Sequence, residues 1–199
     1  MAAAVHVNGI IGKLRVRTRQ SITAFELMLG SLITKKWMKA TDKNVTIISG
    51  ELVSEVLRIY NENFTERNEK LFTLYIRFFK RTTYVYADEK GVKGYCLYLL
   101  KPSLSITGLK RTAILYSFAV DNSSMGQGIG TRLLQKSLSE MRSNSVDKII
   151  LHVAKDNWAA ISLYEKTGFE ITDELMDICG IGKECYQMEL TFDHNTEGA

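Results

Sequence analysis

The amino-acid sequence predicts a mixed α/β fold, in which one sheet has helices on both of its faces. From residue 45 onward, segments of strand and helix periodicity follow one another in the order β-α-α-β-β-β-α-β-α-β-β. The 199 residues are 45% hydrophobic and 24% charged, which is typical of a packed domain and too apolar for a disordered chain. The single proline excludes collagen-like and proline-rich proteins, and three cysteines argue against a disulfide framework.

In the first half of this pattern we predict a strand, two helices and a hairpin. Residues 45–48 form a short strand, and Ser49 is placed to cap the helix that follows. Apolar residues of that helix fall on one face at helical spacing: Leu52, Val53, Val56, Leu57, Tyr60 and Phe64. A second apolar helix covers residues 69–79. The β-branched and aromatic residues 82–87 then pair with residues 92–100 across a glycine-containing turn.

In the second half we predict four strands and two helices. A polar loop that contains Pro102 and Gly108 leads into the first of these strands. The four strands cover residues 112–120, 148–154, 168–171 and 184–192. A glycine-rich turn opens a helix with apolar residues on one face: Ile129, Leu133, Leu134, Leu138 and Met141. A last helix covers residues 157–166, and the chain shows no internal repeat.

Basic side chains are concentrated near the N-terminus. Residues 1–41 hold seven lysines and arginines against one glutamate, whereas the remainder holds 19 basic and 21 acidic side chains. Such asymmetry is typical of an arm that meets a weakly bound anionic partner, of a targeting segment, or of an ordinary extension. In the last case, translation would start at Met38.

The predicted organisation is a basic extension at residues 1–44, a domain at residues 45–192 and a tail at residues 193–199. The apolar stretch at residues 22–34 contains a glutamate and is shorter than the ~20 residues that span a bilayer. We therefore expect no membrane span. An odd number of cysteines fits a reducing compartment, so we expect a cytoplasmic protein.

The glycine-rich turn at residues 126–130 is the first chemical signal. Consecutive glycines between a strand and a helix present unpaired backbone N–H groups and the positive end of the helix to one point in space. A Walker A loop is excluded because Gly130-Thr131-Arg132 lacks its lysine. A Rossmann fingerprint is excluded because the turn follows at least three strands and no acidic residue ends the next strand. A phosphate site or a tight turn without a ligand remains.

The second signal is the segment at residues 157–169. Asn157 lies near a helix start, where its side chain can bond to the backbone or to a ligand. Tyr164 follows about two turns later, and its hydroxyl can point towards the mouth of the sheet. The same spacing also suits an amphipathic tyrosine of the core.

Together these segments resemble the GCN5-related N-acetyltransferase (GNAT) superfamily. Residues 120–130 resemble its loop for the pyrophosphate of acetyl-CoA, and residues 157–169 resemble its pattern Asn-x-x-Ala-x-x-(Leu/Phe)-Tyr-x-Lys-x-Gly-Phe. The resemblance covers residues 45–192. It implies a mostly antiparallel, twisted sheet that is splayed at the acetyl-CoA site, and transfer of an acetyl group from acetyl-CoA to a primary amine.

The resemblance also implies roles for individual residues. The pantetheine arm would pair with the backbone between Phe118 and Val120, and Asn157 would contact the same arm. Tyr164 would be the general acid for the departing thiolate, because a phenol with a pKa near ~10 can donate a proton to a thiolate of similar basicity. The pyrophosphate would lie on the backbone amides of Met125, Gly126, Gln127, Gly128, Ile129, Gly130 and Thr131.

Met125 departs from the family, which usually has arginine or glutamine at this position. Methionine keeps the backbone N–H group but lacks a polar side chain, which would weaken acetyl-CoA binding. Gln127 is two positions away and is not equivalent. A non-catalytic CoA-binding sensor or scaffold is therefore an alternative to an enzyme.

His152 is the candidate general base. It lies in the strand before the second segment, and a histidine in Leu-His-Val also occurs in one branch of the protein Nα-acetyltransferases, where it is implicated in deprotonation. The alternative is a strand histidine satisfied by hydrogen bonds. His6 and His194 lie near the termini and are not expected to contribute.

The acceptor is predicted from the end of the domain. Residues 168–190 resemble the close of ribosomal-protein and Nα-terminal acetyltransferases, which implies a peptide or protein N-terminal α-amine. The tyrosine pair of those enzymes corresponds to positions near Ile178 and Cys179, and the loop at residues 63–68 also departs from them. A lysine ε-amine and a small amine are the alternative acceptors. A nucleic-acid or ribosome-associated protein without acetyltransferase chemistry is the alternative function, which the basic first 41 residues favour. No metal is expected.

Overall fold

A seven-stranded sheet forms the centre of the fold. The structure is a computed structural model that describes residues 24–34, 37, 43–64, 68–105 and 108–193. The strands are β1 (Val45–Ile47), β2 (Thr83–Asp88), β3 (Gly91–Ser105), β4 (Gly108–Val120), β5 (Lys148–Ala154), β6 (Glu170–Met176) and β7 (Glu184–Thr191). They lie in the order β1-β2-β3-β4-β5-β7-β6, and all neighbours are antiparallel except β4 and β5.

Helices cover both faces of this sheet. Within the described residues they are α1 (Ala24–Ile33), α2 (Val53–Asn63), α3 (Glu69–Phe78), α4 (Ile129–Ser143) and α5 (Trp158–Lys166). On β3, the ring of Tyr95 lies 5.5 Å from that of Phe72 in α3, whereas the next residue, Cys96, lies against Ser137 in α4. Successive side chains of a strand point to opposite faces, so α3 and α4 lie on opposite sides of the sheet. The predicted fold class is confirmed.

Three local predictions are wrong. Ser49 precedes a 3₁₀ turn at Gly50–Leu52 and makes no side-chain cap, so α2 begins only at Val53. Pro102 lies inside β3, opposite Arg111 of β4, and not in a loop. Its position tolerates proline because β2 pairs with β3 only as far as Leu97, so that β3 is an edge strand beyond that point. The predicted strand at residues 168–171 starts at Glu170 and is longer than predicted.

The chain N-terminal to residue 45 contributes to the core. Gly30 of α1 faces the carbonyl oxygen of Leu100 and the ring of Phe79 so closely that a side chain has no room. Trp37 is 6% exposed, and its indole N–H donates a 2.9 Å hydrogen bond to the hydroxyl of Tyr84. The boundary at residue 45 stays a prediction, and all seven basic side chains of residues 1–41 lie outside the described residues.

Candidate active site

The parallel strands β4 and β5 separate towards their carboxyl ends. Their pairing stops at Ile114 and Ile150, although β4 continues to Val120 and β5 to Ala154. Beyond the last pair, the facing backbone groups of the two strands are no longer joined to each other. An unpaired strand edge of this kind offers backbone groups with which an extended ligand can pair, at the spacing of about 4.8 Å between neighbours in a sheet.

The opening begins where β4 carries a β-bulge. Leu97 of β3 pairs with Ser117, and the next residue, Tyr98, pairs with Leu115, so that Tyr116 has no partner on β3. An extra residue bends the strand that carries it and redirects its side chain. The bulge therefore explains why β4 leaves β5 at this level.

The glycine-rich turn lies at the end of β4, as predicted. Gly126 and Gly128 both have φ of +74°, a left-handed conformation that favours glycine, and Gly128 is the N-cap of α4. The first backbone hydrogen bond of this region is donated by Arg132 to the carbonyl of Gly128, at 3.0 Å. The N–H groups of Ile129, Gly130 and Thr131, in the first turn of α4, have no acceptor within that helix. Together with the positive end of α4, they suit an anion.

The side chains of this turn add little to that arrangement. Met125 is 56% exposed, and Gln127 makes only a long contact of 3.4 Å to the carbonyl of Ser123. Gly130 instead serves packing, because a Cβ there would lie 3.4 Å from both Phe118 and Val120. The structure thus brings the predicted residues of the strand end and of the turn together.

Tyr164 and Asn157 lie on α5, beside the opening. Tyr164 is 6% exposed, with its ring 6.3 Å from that of Phe118 and 5.7 Å from that of Phe169. Burial, with a smaller contribution from Cys96, raises its pKa, which keeps the phenol protonated at neutral pH. Asn157 caps α5, since its side-chain oxygen accepts from the N–H of Ala160 at 3.2 Å.

His152 lies on the other face of the sheet. On β5 the buried residues Leu151 and Val153 alternate with His152, which is half-buried. Burial lowers the pKa of His152, and a 3.4 Å contact with Gln187 of β7 opposes that effect. The structure therefore places His152 and Tyr164 on opposite faces. His6 and His194 lie outside the described residues.

An ion pair that sequence analysis missed supports the turn. Arg58 of α2 contacts the carboxylate of Asp121 at 2.6 Å, and this carboxylate also accepts from the N–H of Ser123 at 2.9 Å. Hydrogen bonds from Ser123 and from Arg58 lower the pKa of Asp121 to about 2. No local pattern signals this pair, because the two residues are 63 positions apart.

The β6–β7 connection holds a cysteine pair that the sequence analysis did not predict, since the odd number of cysteines argued against disulfides. The structure pairs Cys179 with Cys185 in a disulfide with Cα atoms 6.2 Å apart, and Cys96 is the free cysteine of the described residues. The prediction is therefore wrong for two of the three cysteines. It failed because the antiparallel pairing of β6 with β7 brings the two positions together.

A family comparison decides the classification. The model of the family described as "Acetyltransferase (GNAT) family" matches residues 53–169, which is more than half of the chain. The chain belongs to the GNAT family. The match confirms the resemblance predicted from residues 120–130 and 157–169.

Individual relatives of this GNAT protein agree with the family. An N-alpha-acetyltransferase of Sulfolobus acidocaldarius is 28% identical over 142 residues, covering 68% of this chain and 84% of the relative. The structure of Ard1 from Thermoplasma volcanium is 26% identical, with a TM-score of 0.65, covering 75% of this chain and 97% of the other. A chain of the NatC complex bound to Gag peptide and CoA has a TM-score of 0.68 at 18% identity, covering 78% of this chain and 100% of the other; it supports the fold alone.

Two other curated relatives are much longer than the segment in which they match this chain. The chain matches 25% of the length of GCN5-related N-acetyltransferase 6 of Arabidopsis thaliana, at 32% identity over 71 residues, or 36% of this chain. It matches 20% of a mycothiol acetyltransferase of Corynebacterium glutamicum, at 34% identity over 59 residues, or 30% of this chain. The acceptor and partners of this GNAT protein are therefore matters for proposal.

The fit of the site to acetyl-CoA can be tested on the geometry. Unpaired N–H groups at the start of α4 suit a pyrophosphate, and the unpaired edge of β4 suits the amides of a pantetheine arm. The described residues contain no group of three His, Cys, Asp or Glu that could hold a metal ion. Within the same residues, no helix is long and apolar enough to cross a membrane.

Proposed function

We propose that this protein transfers the acetyl group of acetyl-CoA to a protein N-terminal α-amine. The observation that carries the proposal is the opening between β4 and β5, which has the glycine-rich turn at its end and His152 on the face of the sheet opposite Tyr164. The similarity to the N-alpha-acetyltransferase of Sulfolobus acidocaldarius, over 84% of its length, supports the choice of acceptor.

Each residue has a defined part in this proposal. Backbone N–H groups from Met125 to Thr131 hold the pyrophosphate, the backbone from Phe118 to Val120 pairs with the pantetheine arm, and the amide group of Asn157 contacts that arm. Acetyl-CoA supplies the acetyl thioester. Tyr164 on α5 lies beside Phe118, at the edge with which the pantetheine arm would pair.

The proton transfers use the two faces of the opening. His152, neutral at pH 7 because burial lowers its pKa, accepts a proton from the acceptor ammonium on the open face. Tyr164, protonated because burial raises its pKa, donates a proton to the thiolate on the other side. A neutral imidazole and a protonated phenol suit a reaction in which one proton is removed from the amine and another is supplied to the sulfur.

A direct assay tests the acceptor. Thiol release is measured after mixing the protein and acetyl-CoA with peptides that have a free N-terminus, with N-terminally blocked peptides that contain lysine, and with a polyamine. We expect turnover only with free N-termini. Turnover with the blocked peptides or the polyamine alone would replace the proposed acceptor by a lysine or a small amine.

A non-catalytic CoA-binding protein is the second candidate, and exposed Met125 in place of a polar residue favours it. Calorimetry with acetyl-CoA distinguishes the two. Binding without thiol release for any amine would support a sensor or scaffold, whereas thiol release with any of these amines would exclude it.

A further inference from the structure

Tyr116 is the unpaired residue of the bulge in β4 and lies beside the opening, on the face of the sheet that α3 covers. On β4, Ile114 and Tyr116 alternate with the buried Leu115. The ring of Tyr116 lies edge-on against that of Tyr75 in α3, with 4.8 Å between centroids and an interplanar angle of 83°. Its side chain is therefore held in place by packing on the α3 face, yet it remains 38% exposed.

Tyr116 lies level with His152 across the opening. Ile114 and Ile150 are the last pair that joins β4 to β5, and Tyr116 and His152 each follow two residues later. His152 shares a face with Ile150, because side chains two residues apart on a regular strand point the same way. Tyr116, at the bulge, lies on the α3 face through its contact with Tyr75. The two residues therefore flank the opening on the side from which an amine would approach.

The hydroxyl of Tyr116 is available for a ligand. Five tyrosines of the described residues use theirs within the protein: Tyr60 accepts from the backbone of residue 68, and Tyr84, Tyr86, Tyr95 and Tyr98 bond to side chains. The hydroxyl of Tyr116 makes no hydrogen bond to any residue that the structure describes. A rigidly packed ring with an unused hydroxyl suits recognition, because little side-chain entropy is lost when a ligand binds.

We propose that Tyr116 binds the acceptor: its ring packs against the first side chain of the acceptor peptide, and its hydroxyl hydrogen-bonds to the first peptide group. This inference rests on the proposed function, since it takes the ligand of this face to be a peptide with a free α-amine. Tyr116 then limits the size of the first acceptor residue, whereas the glycine-rich turn binds acetyl-CoA independently.

Two substitutions test the inference by steady-state kinetics on an acceptor peptide. Tyr116→Phe removes only the hydroxyl, and we expect the KM for peptide to rise about three- to ten-fold, the effect of one lost hydrogen bond, with kcat and the KM for acetyl-CoA unchanged. Tyr116→Ala also removes the ring. We expect it to raise kcat/KM for a peptide that starts with a large residue relative to one that starts with alanine.

Tyr75→Phe is the matched control, because it removes a hydroxyl from the buried member of the same ring pair; we expect wild-type kinetics. Unchanged acetyl-CoA affinity by calorimetry shows that the variants are folded. An unchanged peptide KM in both Tyr116 variants, or a fall in kcat alone, would overturn the inference. Wild-type protein that acetylates no free N-terminus would overturn the proposed function instead.

Discussion

Tyr164 and His152 show how burial sets the protonation state that a residue brings to a site. Desolvation disfavours the charged form of either group, so it raises the pKa of the phenol and lowers that of the imidazole. The same physical effect thus produces a proton donor on one face of the sheet and a neutral acceptor on the other. Each role leads to a separate prediction.

Tyr164→Phe removes the hydroxyl and keeps the ring that packs against Phe118 and Phe169. We expect kcat to fall at least ~10-fold, a conservative part of the ~10²–10⁴-fold effect of general acid catalysis, with acetyl-CoA affinity within a few-fold of wild type. Steady-state kinetics and calorimetry check both values. Normal kcat would make solvent the proton donor and Tyr164 a packing residue.

The proposed role of His152 as general base predicts the acid limb of the pH profile of kcat/KM. Since burial lowers its pKa from 6.5, kcat/KM should stay high below pH 6.5 and fall only when the imidazole becomes protonated at lower pH. Gln187 opposes the shift, so Gln187→Leu should move the limb to still lower pH. His152→Asn should abolish the limb and reduce kcat/KM by about 10²-fold or more. A limb that is the same in all three proteins would exclude His152 as the base.

At the scale of elements, the ion pair of Arg58 and Asp121 joins α2 to the glycine-rich turn. The pKa of Asp121, at about 2, keeps its carboxylate charged throughout the neutral pH range, so the ion pair persists over that range. The charged carboxylate holds the N–H of Ser123 and thereby the start of the 3₁₀ turn that precedes residue 125. We infer that Arg58 positions the pyrophosphate site without touching the ligand.

Arg58→Met keeps the length of the side chain and removes its charge. We expect the KM for acetyl-CoA to rise about five- to ten-fold, the range of one charge-assisted hydrogen bond that is partly exposed to solvent, with kcat unchanged. The KM for acetyl-pantetheine, which lacks the pyrophosphate, should not change. Arg58→Lys should raise the KM for acetyl-CoA less than Arg58→Met does. Equal increases in KM for acetyl-CoA and for acetyl-pantetheine would mean that the ion pair stabilises the fold in general.

At the scale of the whole molecule, the core extends N-terminal to the boundary predicted at residue 45. Trp37 is buried and bonded to Tyr84, and α1 packs against β3 through Gly30. Part of the chain before residue 45 therefore completes the core. An anionic partner for the basic side chains of this segment stays a prediction.

The two tryptophans give a matched test of how far the core extends towards the N-terminus. Trp37→Ala should lower the free energy of unfolding by about 3–5 kcal/mol, the usual cost of removing a buried aromatic side chain. Trp158→Ala, at a position 72% exposed, should change it by less than about 0.5 kcal/mol. Urea unfolding of both variants measures the difference. Equal, small effects would place Trp37 outside the cooperative core.

The sequence by itself determined the order of the elements from residue 45, the class of the fold, the GNAT family and the glycine-rich turn. These follow from local periodicity and from residues close together in the chain, such as Gly126 and Gly128, whose left-handed backbone is favourable mainly for glycine. They can therefore be predicted without knowledge of the tertiary contacts.

The tertiary structure decided the rest. The bulge at Tyr116, the opening beyond Ile114, and the pair of Arg58 with Asp121 all depend on which strand or helix lies beside which. The same is true of Cys179 beside Cys185, and of α1, whose short apolar stretch becomes a helix of the core only because β3 offers a surface for it. Contacts between distant segments leave no local pattern, because the free energy that selects them comes from packing and burial in the folded chain.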